Sequence, residues 1–534
     1  MPTPIAPLRW IVSGLLLCGS SAQAFVDLAR APDSIEVIAE EGTAKAARSE
    51  IAEVTFDAQP SKLAVKLHAP KAGIRQLKLH WNGKVDPASK CLGDVWERAY
   101  IDLGWKPLAD SGTMPWYVMV NDGTRTDGYG IMTAPAALCY WEVTADGITL
   151  TADVCSGGVG VELGNRTLDV CTVVCRPGAE KEDSFDAGVA FCKQMCPNPR
   201  LPKQPVYGYN DWNSTYGHNT ADHFLKDATT LAALAPAGDN RPYMVVDDGW
   251  QGNRQDDPPT SDPWSRTNKK FGSSIPELCK QVKGLNAHFG LWYRPLEAPP
   301  GTPNHEKLHG NSLDPSVPSV RRRIAQDVAR FREWGVELIK FDFTTQEIFG
   351  RFGDHMKPLP GSGEWTFVDR THTSAEIVLE LYRTIREAAG DGMVIDGCNT
   401  LSHLSAGMFE LYRIGDDTSG QEWHRQKYGV NALAFRGVQQ GTFYQADPDM
   451  VALAKAGAIP WDQNRQWLEL AAESGTTFIV SWKTELMDDT VKEAIRKGFE
   501  QASKPQPVAR PVDGMETNFP TRWKLGEREA TYKW

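Results

Sequence analysis

Five apolar, β-prone runs in this chain each end on an aspartate. They are Tyr243-Met244-Val245-Val246 before Asp247-Asp248, Leu338-Ile339-Lys340-Phe341 before Asp342, Met393-Val394-Ile395 before Asp396, Leu411-Tyr412-Arg413-Ile414-Gly415 before Asp416-Asp417, and Phe443-Tyr444-Gln445-Ala446 before Asp447. A single carboxylate after a buried strand is commonly a helix N-cap. Five in one register constrain the fold further, because the carboxyl ends of the parallel strands of a (β/α)8 barrel open onto one face and carry the active site. The sequence supplies eight candidate strands, at residues 205–210, 243–246, 288–292, 337–341, 394–395, 411–414, 442–446 and 477–481. Segments with apolar residues at helical spacing, such as 320–334 and 375–389, lie between them. That alternation is the mark of βα units around a parallel sheet.

The part before the barrel reads differently. From residue 25 to about 200, short runs such as Lys62-Leu63-Ala64-Val65-Lys66-Leu67 alternate with turns and no helix-period segment dominates, which predicts an antiparallel β-sandwich. The Pro-rich stretch Pro197-Asn198-Pro199-Arg200-Leu201-Pro202 marks the linker. The expected organisation is a signal peptide over 1–24, a β-sandwich over 25–200, the barrel over 201–503, and a short hairpin or tail over 504–534. Residues 344–372, after the fourth strand, carry Gly, Pro and Trp365 with little periodicity and are expected to form a loop over the catalytic face.

The N-terminus supports export. Arg9, the apolar stretch from Trp10 to Cys18, and Ala22-Gln23-Ala24 form a Sec signal too short to span a bilayer, so the mature chain is expected in a periplasm or outside the cell. Nine cysteines then remain, and an oxidising compartment favours disulfides in the first domain over zinc at Cys171/Cys175 and Cys192/Cys196. Cys398 is the candidate for the unpaired thiol.

A net charge of −11 without basic runs argues against nucleic acid. Eighteen Trp among carboxylates suit a sugar, which offers an apolar face to an indole and hydroxyls to acids. The histidines form no H-E-x-x-H or similar ligand set, so neither a catalytic metal nor a cofactor is expected. Hydrolysing a glycosidic bond needs one carboxylate below the sugar ring and one acid above it. Asp342, two residues after Lys340, suits the nucleophile, since a nearby ammonium keeps it ionised. Asp416 suits the acid, with Asp417 beside it helping to hold one of the pair protonated. Asp396, Asp447 and Asp449 are expected to be structural.

These motifs resemble, in order, those of the α-galactosidase clan of glycoside hydrolases, the melibiase-like families 27 and 36. Gly208-Tyr209-Asn210-Asp211-Trp212, Asp247-Asp248-Gly249-Trp250 and Phe289-Gly290-Leu291-Trp292 resemble its first three strand motifs. Lys340-Phe341-Asp342 is similar to the nucleophile motif, Cys398 to the strand-five cysteine, and Arg413-Ile414-Gly415-Asp416 to the acid/base motif. Asp447-Pro448-Asp449-Met450, followed by Trp461-Asp462-Gln463, is similar to strand seven. The likeness spans roughly residues 205–485. It implies an exo-acting retaining hydrolase of terminal α-galactosides, with Asp342 as nucleophile and Asp416 as acid/base. Trp212, Asp247, Asp248, Trp250, Lys340, Cys398, Asn399 and Arg413 would bind the oligosaccharide or glycoconjugate.

The chain also departs from the clan. Gly249 follows the acidic pair as in family 36, the strand-seven motif looks more like family 27, Arg294-Pro295 stands where many family-36 enzymes have glutamates, and the usual C-terminal β-domain is not apparent. In family-27 relatives the residues after the strand-five cysteine face the sugar's 2-position. Here Asn399 and Ser402 are small enough to suggest N-acetylgalactosamine as the runner-up. Galactosyl transfer and an inactive carbohydrate-binding barrel are the remaining alternatives, the latter disfavoured by retention of both aspartates.

Overall fold

The structure, a computed structural model, describes residues 25–356, 363–453 and 458–534; the expected signal peptide lies outside them. Period-2 burial shapes the N-terminal part. In Gly73–Asn82 the side chains of Ile74, Leu77, Leu79 and Trp81 are buried while Lys78 and His80 between them are not. This strand sits in a seven-stranded antiparallel sheet ordered Gly42–Ala44, Ser34–Ala39, Gly73–Asn82, Gly147–Asp153, Leu138–Thr144, Met114–Pro115, with Val161–Glu162 also paired to Gly73–Asn82. A second antiparallel sheet runs Glu53–Gln59, Lys62–His68, Thr167–Arg176, Thr126–Ile131, Tyr117–Asn121, Lys90–Gly93, Lys106–Pro107.

A helix the sequence reading did not single out, Ser184–Met195, follows these sheets. Asp183 caps it, accepting from the backbone N–H of Phe185 and Asp186. Phe185, Gly188, Phe191, Cys192 and Met195 form its buried face. It packs so closely on Thr126–Ile131 that a Cβ at Gly128 would lie 2.6 Å from the Phe191 ring. On its other side a Cβ at Gly188 would lie 2.8 Å from Val438. Two glycines therefore let one helix join the antiparallel sheets to the parallel part of the chain.

The expected disulfides are absent among the described residues, where nine cysteines are free and buried. Cys171 and Cys175 share the strand Thr167–Arg176. Four residues of strand separate their Cα atoms by about 13 Å, well beyond the reach of an S–S bond. Burial pushes the Cys175 thiol up to about 11.

All nine segments of the third sheet are parallel to their neighbours. The order is Gln445–Asp447, Leu411–Arg413, Val394–Gly397, Leu338–Phe341, His288–Tyr293, Tyr243–Val246, Tyr207–Asn210, Phe478–Trp482, Val451–Leu453. The first and last of these are successive in the chain, so the seventh expected strand is present as two short segments. Between them, Pro448 has no N–H to donate and Asp449 adopts φ 73°, which interrupts the ladder. The Thr477 N–H, just before Phe478–Trp482, donates to Ala446 O at 2.9 Å.

Val206, Val245, Leu338 and Leu411 pack as a small apolar cluster separate from the main core. Further toward the carboxyl ends of the strands, the same interior is lined by Asn210, Lys340, Asp396, Arg413, Asp447 and Asp449. Apolar residues thus fill the lower part and charges crowd the upper. Residues 510–531 add a three-stranded antiparallel sheet, Arg510–Pro511, Arg522–Leu525 and Arg528–Thr531. Among the described residues no helix is long and apolar enough to cross a membrane.

The N-terminal part is fastened onto the sixth strand. The Ala99 N–H donates to Ile414 O at 3.0 Å, and Ala99 pairs in parallel with Gly415. Arg436, on the helix Trp423–Arg436, donates to both Glu97 O and Ile414 O at 3.0 Å and pairs through Nε with Asp94 Oδ1 at 2.9 Å. Both side chains are buried. Breaking such a pair leaves one charge uncompensated, so Arg436→Met should lower the unfolding free energy by about 3–5 kcal/mol. Urea denaturation followed by Trp fluorescence measures it, and an unchanged midpoint would contradict this view of the junction.

Candidate active site

A cavity of ≈ 640 Å³ opens at the carboxyl ends of the parallel strands, lined by Arg98, Trp212, Asp247, Asp248, Trp292, Lys340, Asp342, Phe343, Phe352, Asn399, Arg413, Asp417, Thr418, Asp449 and Met450. Among the described residues no group of three or more His, Cys, Asp and Glu is arranged to hold a metal ion.

Asp342 follows its strand directly. Its Oδ1 accepts from the Phe343 N–H at 2.8 Å and its Oδ2 from Trp292 Nε1 at 3.3 Å. Phe343 is held at φ 66°, a conformation costly for an aromatic residue, which turns the chain sharply behind the carboxylate. The Arg294 guanidinium lies 4.3 Å over the Phe343 ring and donates to Glu347 at 2.7 Å. Lys340 does not bond Asp342. Its ammonium pairs with Asp247 Oδ2 at 2.8 Å, an oxygen that also accepts from Asn210.

The acidic pair is held from behind. The Asp247 N–H donates to Asp211 Oδ1 at 2.7 Å, and burial pushes the Asp211 carboxyl well up. Asp248 Oδ1 accepts from Gln251 at 2.7 Å and Arg254 at 3.1 Å, while Oδ2 takes part in none of the described hydrogen bonds. Trp212, just after the first strand, stands half-buried in the cavity wall.

Three expected site residues lie elsewhere. Trp250 is core, not wall: it is fully buried, donates to Trp292 O at 3.0 Å and packs on Trp264 and Phe331. Cys398 is buried behind the wall, with its sulfur 3.3 Å from Arg98 Nη1. Asp416 stands outside the lining set, whereas Asp417 belongs to it. The Asp416 side chain is 18% exposed and lies 3.8 Å from Arg98 and Arg425, with Oδ1 accepting the Asp417 N–H. The Asp417 side chain is 47% exposed, into the cavity.

Their environments push the two carboxyls apart. Burial raises Asp416, and the Asp417 charge adds to the rise against the pull of Arg98. For Asp417 burial is outweighed by Arg98 and Arg413, each 2.8 Å away, and by Lys340, so it is held well below the usual carboxylate range. Asp449 braces the same loop, accepting from the Thr418 N–H at 2.6 Å and from Arg413 at 2.7 Å. Burial raises Asp396 and Asp447, which line the strand interior beneath.

Asn399 lines the cavity but its amide is engaged. Nδ2 donates to Glu97 Oε1 at 2.9 Å and to the Tyr100 hydroxyl at 2.5 Å, and Oδ1 accepts from the Phe343 N–H at 3.4 Å. Glu97, Arg98 and Tyr100, from the N-terminal part, were not expected here. The only signal was two opposite charges set between large aromatics in Trp96-Glu97-Arg98-Ala99-Tyr100.

Residues 197–303 match the family model Melibiase. Alpha-galactosidase A of Aspergillus niger is 29% identical over 146 residues, 27% of this chain and 23% of that protein. The alpha-galactosidase of Escherichia coli is 31% identical over 99 residues, 18% of this chain and 13% of that protein. The chain thus aligns with less than a quarter of the length of these curated relatives. An alpha-galactosidase from Thermus thermophilus, solved in complex with p-nitrophenyl alpha-D-galactopyranoside, shares the fold with a TM-score of 0.63 and 16% identity, covering 93% of this chain and 97% of that one. A GH36 alpha-galactosidase from Geobacillus stearothermophilus gives a TM-score of 0.56 and 16% identity, covering 88% and 69%. The resemblance drawn from the ordered motifs is therefore met by a sequence match and by the fold.

The two tryptophans give a direct check on this geometry. Trp250→Ala opens the core and should cost about 3–5 kcal/mol. Trp212→Ala should cost markedly less. Paired thermal melts measure the difference, and equal losses would place Trp212 in the core as well.

Proposed function

We propose that this chain, a glycoside hydrolase of the α-galactosidase clan, removes terminal α-galactosyl groups by double displacement with Asp342 as nucleophile and Asp417 as acid/base. One observation carries the reading: Asp342 and Asp417 line the same cavity in different electrostatic surroundings, together with Trp212, Asp247 and Asp248. Asp342 attacks the anomeric carbon while the acid protonates the departing glycosidic oxygen. Asp417 as carboxylate then takes a proton from the water that attacks the glycosyl–Asp342 ester, releasing sugar with retained configuration. Trp212 offers a stacking face, and the free oxygen of Asp248 accepts from hydroxyls remote from the reacting bond.

The acid/base assignment moves one position from the sequence expectation, because Asp417 reaches the cavity and Asp416 does not. One observation favours Asp416 instead: its carboxyl is the one raised, and an acid must carry a proton. The reading of the fold that accompanies this is a β-sandwich over 25–200 and a (β/α)8 barrel over 201–503, closed through an interrupted seventh strand, with a short C-terminal sheet. Export through the N-terminal signal remains part of the proposal. Galactose stays ahead of N-acetylgalactosamine, since Glu97, Tyr100 and Phe343 already occupy the Asn399 amide that would greet an acetamido group.

The purified chain should hydrolyse nitrophenyl α-galactoside with a far higher kcat/KM than the 2-acetamido analogue; the opposite preference overturns the sugar assignment. Asp342→Ala should abolish turnover, and azide should restore part of it with the nitrophenyl substrate by filling the place of the lost carboxylate. Near-normal activity without azide removes Asp342 from its role.

Asp417→Ala should slow oligosaccharide cleavage by about 10²–10⁴-fold and spare the glycosylation step for good leaving groups. If Asp416→Ala shows that dependence instead, Asp416 is the acid. The pH profile bears on the same choice. A required proton on a carboxyl held low is lost early as pH rises, so kcat/KM should fall along an alkaline limb that begins well on the acid side of neutrality.

A further inference from the structure

We infer that Arg98, carried by the N-terminal β-sheet region, is a positioning residue of the reaction, fixing the orientation and ionisation of the Asp417 carboxylate. The inference rests on the assignment of Asp417 as acid/base. It adds that the barrel alone does not build the site, since a residue some three hundred positions upstream completes it.

Geometry carries the claim. Arg98 is buried, with 6% of its side chain exposed, yet its guanidinium forms part of the cavity wall. Nη1 donates to Asp417 Oδ1 at 2.8 Å and to Cys398 Sγ at 3.3 Å, and Nε donates to the Tyr100 hydroxyl at 2.9 Å. The guanidinium also lies 5.0 Å over the Tyr100 ring. These contacts fix the planar fork in one orientation, which a flexible lysine ammonium does not reproduce. The backbone beneath is equally constrained, because Ala99 pairs with Gly415 and Arg436 bonds both Glu97 O and Ile414 O. Arg98 and Asp417 therefore sit at adjoining points of two paired segments, and neither can drift without the other.

Asp417 also faces charges from other elements. Arg413 on its own strand bonds the same oxygen at 2.8 Å, and Arg425 donates to the Asp417 carbonyl at 3.0 Å. Lys340 lies on the fourth strand, Asp342 just after it, Cys398 after the fifth, and Asp449 beyond the seventh; Asp416 adjoins it and Tyr100 stands behind Arg98. Arg98 is the only one of these cations that the N-terminal part supplies. Its removal leaves Arg413 to hold the carboxylate, with less charge favouring ionisation, so the proton is retained to higher pH.

The test compares kcat/KM against pH for the full-length wild type, Arg98→Gln and Arg98→Lys on an α-galactosyl oligosaccharide, whose leaving group needs the proton, with thermal melts on each. Arg98→Gln should move the alkaline limb up by about one pH unit or more. Arg98→Lys, which keeps a charge but loses the fork, should move it less while still lowering kcat on oligosaccharide. The Gln shift should persist in an Asp416→Asn background. Superimposed profiles in folded variants would overturn the inference, as would a shift that vanishes when Asp416 is Asn. Should Arg98→Gln fail to fold, a wild-type profile and kcat in Arg98→Lys overturns it alone. The leaving-group response of Asp417→Ala tests the acid/base assignment separately, so a wild-type profile in Arg98→Gln beside a positive Asp417 response refutes only the role of Arg98.

Discussion

The contact on which the site depends is the buried pair between Arg436 and Asp94. Arg436 belongs to the helix after the sixth parallel strand and Asp94 to the segment leaving the antiparallel sheets, with 1% and 0% of their side chains exposed. Such a pair gains little over a well-packed apolar contact, because desolvation offsets its Coulomb energy. Its value is geometric. One guanidinium reaches Asp94, Glu97 O and Ile414 O together, so the N-terminal segment meets the sixth strand in a single register. Gln439 donates to the second Asp94 oxygen at 2.9 Å, which removes the remaining freedom. Glu97, Arg98 and Tyr100 arrive at the cavity as a consequence of that docking.

Above the apolar cluster of Val206, Val245, Leu338 and Leu411, the strand interior must satisfy a dense set of charges. Lys340 is spent on Asp247, and Arg413 is shared between Asp417 and Asp449. Among the described residues Asp396 and Asp447 have no such dedicated cation, and burial raises both. Asp417 at the mouth is held ionised by direct guanidinium contact, and Asp396 and Asp447 beneath are driven toward the neutral form. A site so arranged presents fixed dipoles and charges to a neutral ligand without reorganising when it binds.

Much of this was legible in the chain. The eight strand positions followed from apolar runs, five of them closed by aspartates, and Asp247, Asp248, Asp342, Lys340, Trp212 and Arg413 meet in one cavity as their strand-end positions implied. What could not be read was whatever depends on side-chain direction or on contacts between distant segments. Asp416 and Asp417 follow the same strand, and which of them turns inward is decided by Asp449 gripping Thr418 and by Arg98 gripping Asp417. Trp250 resembles a wall residue by position, yet its indole turns into Trp264 and Phe331. The disulfides were expected from the oxidising compartment that the signal implies and not from any pairing the chain displays, and the nine cysteines among the described residues are free.

The interrupted seventh strand shows how a local defect serves the site. A continuous strand would keep residue 449 in the ladder with its side chain set by the pleat. Pro448 and the left-handed Asp449 break that ladder, at a cost of order 1–3 kcal/mol for the strained backbone. The break lets the Asp449 carboxylate accept from the Thr418 N–H and hydroxyl and from Arg413 at once. Several charge-assisted hydrogen bonds of that kind outweigh the strain. Asp417, between Arg413 and Thr418, is then fixed from below by the broken strand and from above by Arg98. Two unrelated parts of the chain converge on one carboxylate, and neither the parallel strand nor the N-terminal segment would hold it there alone.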